Sequence, residues 1–366
     1  GRIDVSDSLL NTSIGEGAGD AHTTGQYNVA VGGGGLGNNT TGAQNVAIGY
    51  DTLNTNTTGD YNTALGKGAL SGSNGDENTA VGWRALVTNT TGNTNTAVGS
   101  QSLEANTTAS NGVAIGYQAL TANTTGAYNT AVGRSALLAN TTGGYNVAIG
   151  GGAMDSNTGG NYNTAVGFEA LQENTASENT AVGYKALEEN TTGSPNSAFG
   201  FEALTANTTG QYNTGIGRKA LEANTTASAN TAVGNYTLAL NTTGTENTAV
   251  GAYALDANTT TSYNTACGYG ALGANTGGEN LTAVGRSALA ANTTANWCTA
   301  VGERALVSNT TGNYNVAVGH RALEDNVSGG DNVAVGTYAL MDNTGTNNTG
   351  IGNYALDANT TGGSNT

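Results

Sequence analysis

One apolar residue recurs through this chain at a spacing that scarcely varies. Placed on the fourth position of the motif Asn-Thr-Ala-Val-Gly, it falls at Ile14, Val31, Ile48, Leu65, Val81, Val98, Ile115, Val132, Ile149, Val166, Val182, Phe199, Ile216, Val233, Val250, Cys267, Val284, Val301, Val318, Val335 and Ile351. Seventeen of the twenty intervals are 17 residues and the other three are 16. A short, gapless period is the signature of stacked coils, because helical repeats need roughly 33 residues or more per unit. The expected fold is therefore all-β, a parallel β-solenoid (β-roll) of about 21 coils of 16–17 residues. It is expected to run as one continuous domain over 1–366, irregular only in its first unit, 1–24. The final residues, Gly363-Ser364-Asn365-Thr366, read as the start of a further repeat, so the segment is expected to be cut from something longer.

Composition agrees with a thin core shared among many small units. The chain has 58 Gly, one Pro, three Phe and two Trp, and 10% of its residues are charged. A compact globule of 366 residues needs more large apolar side chains than this. Disorder is equally disfavoured, because Val, Ile and Leu return on schedule and charge runs are absent. The net charge of −16 argues against nucleic acid and anionic membrane surfaces as partners. No apolar stretch has the length of a membrane-spanning helix, so no membrane insertion is expected in this segment.

Each column of the repeat has a physical reading. The residue after the apolar position is Gly in all twenty-one units, which marks Gly82, Gly183 and Gly251 as corners with positive φ or close backbone approach. The residue two before it is Thr, Val or Ser, and Thr and Val are β-branched and favour a strand. Between them stands a small residue, Ala in eighteen units. Neighbours on a strand point to opposite faces. Leu lies five residues after the apolar position in nineteen units. This pattern leads to an expected core of the Val and Leu columns, including Val81, Leu86, Leu204 and Val250. The Ala column, including Ala80, Ala131, Ala165 and Ala232, is then expected outside, as a flat stripe open to contact with another subunit.

The Ala-Leu-x-Ala-Asn segment fits either a second strand or a helical turn, and an extended segment is favoured. Asn precedes the strand in eighteen units, and a second Asn stands eight after the apolar position in nineteen. Stacked Asn side chains bond along a ladder and tolerate turns. The second Asn often opens Asn-Thr-Thr, an N-glycosylation acceptor pattern, at Asn56, Asn89, Asn140, Asn224 and Asn292. Basic residues gather two or three places after the apolar position and acids six or seven after it, as a solvated rim.

Catalytic chemistry has no visible constellation. The two His are far apart in the stack, and no calcium loop or phosphate loop is present. No catalytic, cofactor or metal site is expected, and the chain is read as a non-enzyme. Cys267 is placed in the core column and Cys298 in the Asn column two coils on, about 9.6 Å apart, so two free thiols are expected.

The units Asn28-Val29-Ala30-Val31-Gly32, Asn45-Val46-Ala47-Ile48-Gly49 and Asn146-Val147-Ala148-Ile149-Gly150 resemble the head repeats of trimeric autotransporter adhesins. The longer unit over 116–126 is similar to repeats of phage tail-fibre-like and bacterial surface proteins. The resemblance implies a left-handed parallel roll, assembled as a homotrimer at a cell or virion surface. The expected function is an extracellular structural fibre or adhesin shaft. Its partners would be further copies of itself, in a trimer or filament, with a host-surface protein or glycan beyond. A glycosylated filament subunit and an ice-binding solenoid are the alternatives. The strand Thr is expected to face inward with Val, which counts against the second and leaves the curved Thr-Thr turn column as its better candidate.

Overall fold

A computed structural model describes Ile3–Asp4 and residues 8–366. Among these residues the secondary structure is strand and turn, with no helix. The architecture is a parallel β-solenoid, with one three-residue strand per coil. By its internal contacts the chain divides into two compact units, Gly1–Thr180 and Ala181–Thr366.

In the first unit, strands from Thr12–Ile14 to Thr164–Val166 stack in parallel with like residues in register. Ala80 lies beside Ala97, and Val81 beside Val98. The short strand Ile3–Asp4 pairs antiparallel with Thr12–Ile14. The second unit repeats the arrangement from Ser197–Phe199 to Thr349–Ile351, with Ala232 beside Ala249.

The alternation along the strand is present with its faces reversed. Ala80, Ala131, Ala165 and Ala232 have no exposed surface and line the interior. Val81 is half-buried and Val250 is exposed, so both stand on the outer face. Leu86 and Leu204 are fully buried, as expected. The reason lies in how narrow the coil is. Where Gly215 replaces Ala, an added Cβ would come within 3.2 Å of Leu204 Cγ and Cδ1. Leu already fills the space opposite the strand, so only a small residue fits there. The larger β-branched residues are left outside.

The segment after the strand is neither extended nor helical. It is a run of tight turns in which Arg84 (φ +56°) and Leu86 (φ +55°) both adopt left-handed backbone. These turns swing the chain round so that Leu points inward. The inter-coil bonds continue outside the strand: Leu86 N–H donates to Ser102 O at 2.9 Å, and Gly99 N–H to Val81 O at 2.8 Å.

Gly82, Gly183 and Gly251 have φ of +138°, +139° and +127°. A Cβ on Gly82 would stand 2.5 Å from the Gly99 carbonyl oxygen of the next coil. Backbone sign and close approach therefore both require glycine here.

The two Asn columns form the polar half of the core. Asn45 N–H donates to Asn28 Oδ1 at 3.0 Å, and its side-chain amide donates to Gly59 O in the following coil at 2.8 Å. In the second column, Asn56 Nδ2 donates to Asn39 Oδ1 at 2.8 Å and to Gly59 O at 3.0 Å. A buried amide normally costs free energy unless bonded, and these ladders satisfy it coil after coil.

Candidate functional site

The outer face of each strand stack is the feature of the fold that no internal contact explains. It carries two columns. One contains Thr and Val, as in Thr130, Val147 and Thr164; the other contains Val and Ile, as in Val132, Ile149 and Val166. Neither column contains a charged residue in any of the twenty-one units. Ile149 is 40% exposed and Val250 38%. Ten stacked strands at the spacing of a β-sheet present on the order of 400–500 Å² of such surface. That matches the largest apolar patches of ordinary monomers, which are often functional.

Aromatic residues flank this face at the residue two before the strand. Tyr128, Tyr145 and Tyr162 are exposed and stack on one another, with ring centroids 4.9 and 5.2 Å apart. Trp297 and Tyr314 stack in the same way at 5.1 Å. The spacing of the coils is close to the stacking distance of aromatic rings, so like residues in one column form a ladder.

Ion pairs form on the turn beyond the corner glycine, between and within coils, whereas acids such as Glu77, Glu178, Glu246 and Asp331 stand two before the strand, in the column that holds the aromatic residues. Arg84 meets Glu104 at 2.6 Å and Lys185 meets Glu188 at 2.7 Å. Glu324 is the most enclosed of them, with its side chain 3% exposed and bound by both Arg304 and Arg321. Burial alone would raise its pKa, but the bonds from Arg321 and Arg304 outweigh that and hold the carboxyl below the usual range.

The asparagines of the glycosylation acceptor pattern are inside. Asn56, Asn89, Asn140, Asn224 and Asn292 have no exposed surface, and each amide nitrogen donates to a neighbour within the coil stack. A folded coil leaves no room for a glycan at these atoms. Both cysteines are free thiols, and Cys267 is exposed because its column is the outer one. Cys298 is buried in an Asn column, where its thiol donates to Gly312 O at 3.2 Å in place of the usual amide. Burial pushes that thiol's pKa up. Among the described residues, no group of three His, Cys, Asp or Glu side chains is placed to hold a metal ion. No helix there is long and apolar enough to cross a membrane.

Compared with models of protein families and with curated proteins, the chain matches none.

Proposed function

We propose that this chain is a non-enzymatic shaft segment of an extracellular fibre, at a cell or virion surface, that associates with copies of itself through the outer strand face. The uncharged Thr/Val and Val/Ile columns carry this reading. A partner can use every coil of such a face only if it repeats at the same interval. A parallel copy of the chain does so by construction, and three copies around an axis is the closed form that the adhesin-like repeats suggest. This contact surface takes the place of the Ala stripe, whose members face the interior.

Sedimentation and native mass measure the association. A charge on the outer face, with Val166→Arg in the first unit and Val250→Arg in the second, should yield monomers with unchanged circular dichroism. Thr91→Arg with Thr243→Arg, on the exposed Thr-Thr turns, should leave the oligomer intact. A monomeric wild-type chain, or an oligomer indifferent to the Val substitutions, removes the proposal.

A second reading is favoured by one observation: the strand Thr column faces outward. A flat, rigid array of hydroxyl and methyl groups at a fixed spacing is suited to ordering water into a lattice, as an ice-binding surface does. Thermal hysteresis, lost in Thr130→Lys with Thr164→Lys, would support this reading. Its absence in wild-type protein would remove it.

A further inference from the structure

The outer strand face has two unlike borders. On one side, the positions two and three before the strand hold seven acids, among them Glu77 and Glu279, and no base anywhere in the chain. On the other side, beyond the corner glycine, the positions two and three after the apolar residue hold nine of the chain's ten bases and five acids. The uncharged face is therefore bounded by an acidic edge and a net basic one.

The two borders also match coil by coil. The nine bases fall in eight coils, and each of those eight carries an acid or an aromatic ring on its other border. Glu77 accompanies Arg84, Glu279 accompanies Arg286, and Trp297 accompanies Arg304. None of the seven coils that lack such a residue holds a base on its basic border. Contact within the chain does not account for this match, because the strand lies between the borders. The arginines make their intramolecular pairs on their own side instead: Arg84 with Glu104, Arg286 with Glu303 and Arg304 with Glu324. Those three side chains remain 44–64% exposed. The fork of a guanidinium can take a second partner.

Copies set parallel around a common axis meet by opposite borders at equal height, because rotation about that axis changes no height. Each base then faces the acid or ring of its own coil on the neighbouring copy, as an ion pair or a cation–π contact. An antiparallel pair would set like borders together, acids against acids. We infer that the two borders form a register code between copies of this chain. The apolar columns supply contact area, and the acid–base and ring–base matches select the parallel, unstaggered alignment. This inference rests on self-association through the outer face and concerns which arrangement that face accepts.

The test places single cysteines on the two borders, in a Cys267→Ser background that removes the exposed thiol. Sedimentation comes first, and a monomeric chain would overturn both the self-association and the code. Glu279→Cys and Arg286→Cys chains are then co-expressed and treated with a short bismaleimide. Covalent dimers should form from the mixture and from neither variant alone. Arg218→Cys, four coils away at about 19 Å, should not be joined to Glu279→Cys. An intact oligomer that gives no product between the first two sites, joins either variant to itself, or joins Arg218→Cys equally well would overturn the code and leave self-association standing. Affinity is the second readout. Glu77→Lys with Glu279→Lys should raise the dissociation constant by about tenfold or more at low salt. Glu173→Lys with Glu189→Lys makes the same charge change at exposed positions off both borders. It should not weaken association, because it lowers the net repulsion between acidic chains. No weakening by the first pair, or equal weakening by both, would also overturn the code.

Discussion

The two faces of one three-residue strand obey opposite rules. Inside, Ala stands against Leu and the Asn ladders, with no exposed surface. Outside, Val, Ile and Thr remain partly in water, as Ile149 does at 40% exposure. A hydropathy scale would place Val and Ile inside before Ala. The difference teaches that available space, more than hydrophobicity, decides burial in a coil this thin. A Leu from the turn takes the interior volume, and the strand can add only a methyl group to it. The apolar surface that folding leaves outside is what remains for association.

Breaking the inner face should cost the most. Leu204→Ala removes the side chain that fills the coil and should destabilise by about 2–5 kcal/mol in denaturant unfolding. Ala232→Val, which adds bulk to the same interior, should cost about 1–3 kcal/mol. Val233→Ala on the outer face should cost less than either in the isolated chain. If Val233→Ala matched Leu204→Ala, the assignment of the two faces would be wrong.

The two glycine columns sharpen the same point, because close approach alone does not forbid a side chain. A Cβ on Gly183 would lie 2.2 Å from Gly200 O, and one on Gly193 would lie 2.3 Å from Gly210 O. Yet Ala109, Ala227 and Ala295 occupy the Gly193 column and are buried there. Gly183 differs in its φ of +139°. Gly183→Ala should therefore cost about 1–3 kcal/mol from backbone strain beyond any crowding, and Gly193→Ala clearly less. Equal shifts in melting temperature would show that crowding governs both.

Within the polar half of the core, Asn247→Ala should cost about 1–3 kcal/mol. It removes the bond from the Asn247 amide to Thr261 O and leaves Asn264 N–H without the Asn247 Oδ1 acceptor. An unaltered unfolding midpoint would mean that water replaces the ladder at no cost.

Much of this fold was legible in the repeat. The period gave stacked parallel coils, Leu204 gave part of the core, the corner glycines gave the positive φ, and the Asn columns gave the ladders. The direction of the strand was misread because alternation fixes only that Ala and Val face apart. It does not say which face is inside. The signal that could have decided it was the combination of an almost unvarying small residue with an almost unvarying Leu, which together set a narrow interior. The turns at Arg84 and Leu86 were hidden for another reason. Left-handed backbone is usually announced by Gly or Asn, and here Arg, Gln and Leu adopt it, held by inter-coil bonds.

The smallest effect expected concerns the charged rim, where one carboxylate has been drawn inward. Glu303 pairs with Arg286 at 2.5 Å, but both side chains are largely in water, 42% and 64% exposed. Such a pair is screened by salt and contributes little. Glu324, at 3% exposure and held by two arginines, is of the other kind. Its folded pKa is depressed, so its contribution to stability is complete above the unfolded glutamate value of about 4.3 and is lost as pH falls through the lower folded value. Glu324→Gln should therefore lower stability by on the order of 1 kcal/mol near neutral pH. The gap between variant and wild type should close on acidification below about pH 4. Glu303→Gln should show a smaller gap that vanishes in high salt. Thermal unfolding of both variants across pH and ionic strength makes the comparison. A Glu324 gap that persists unchanged in acid would mean that the side chain acts through packing rather than through its charge.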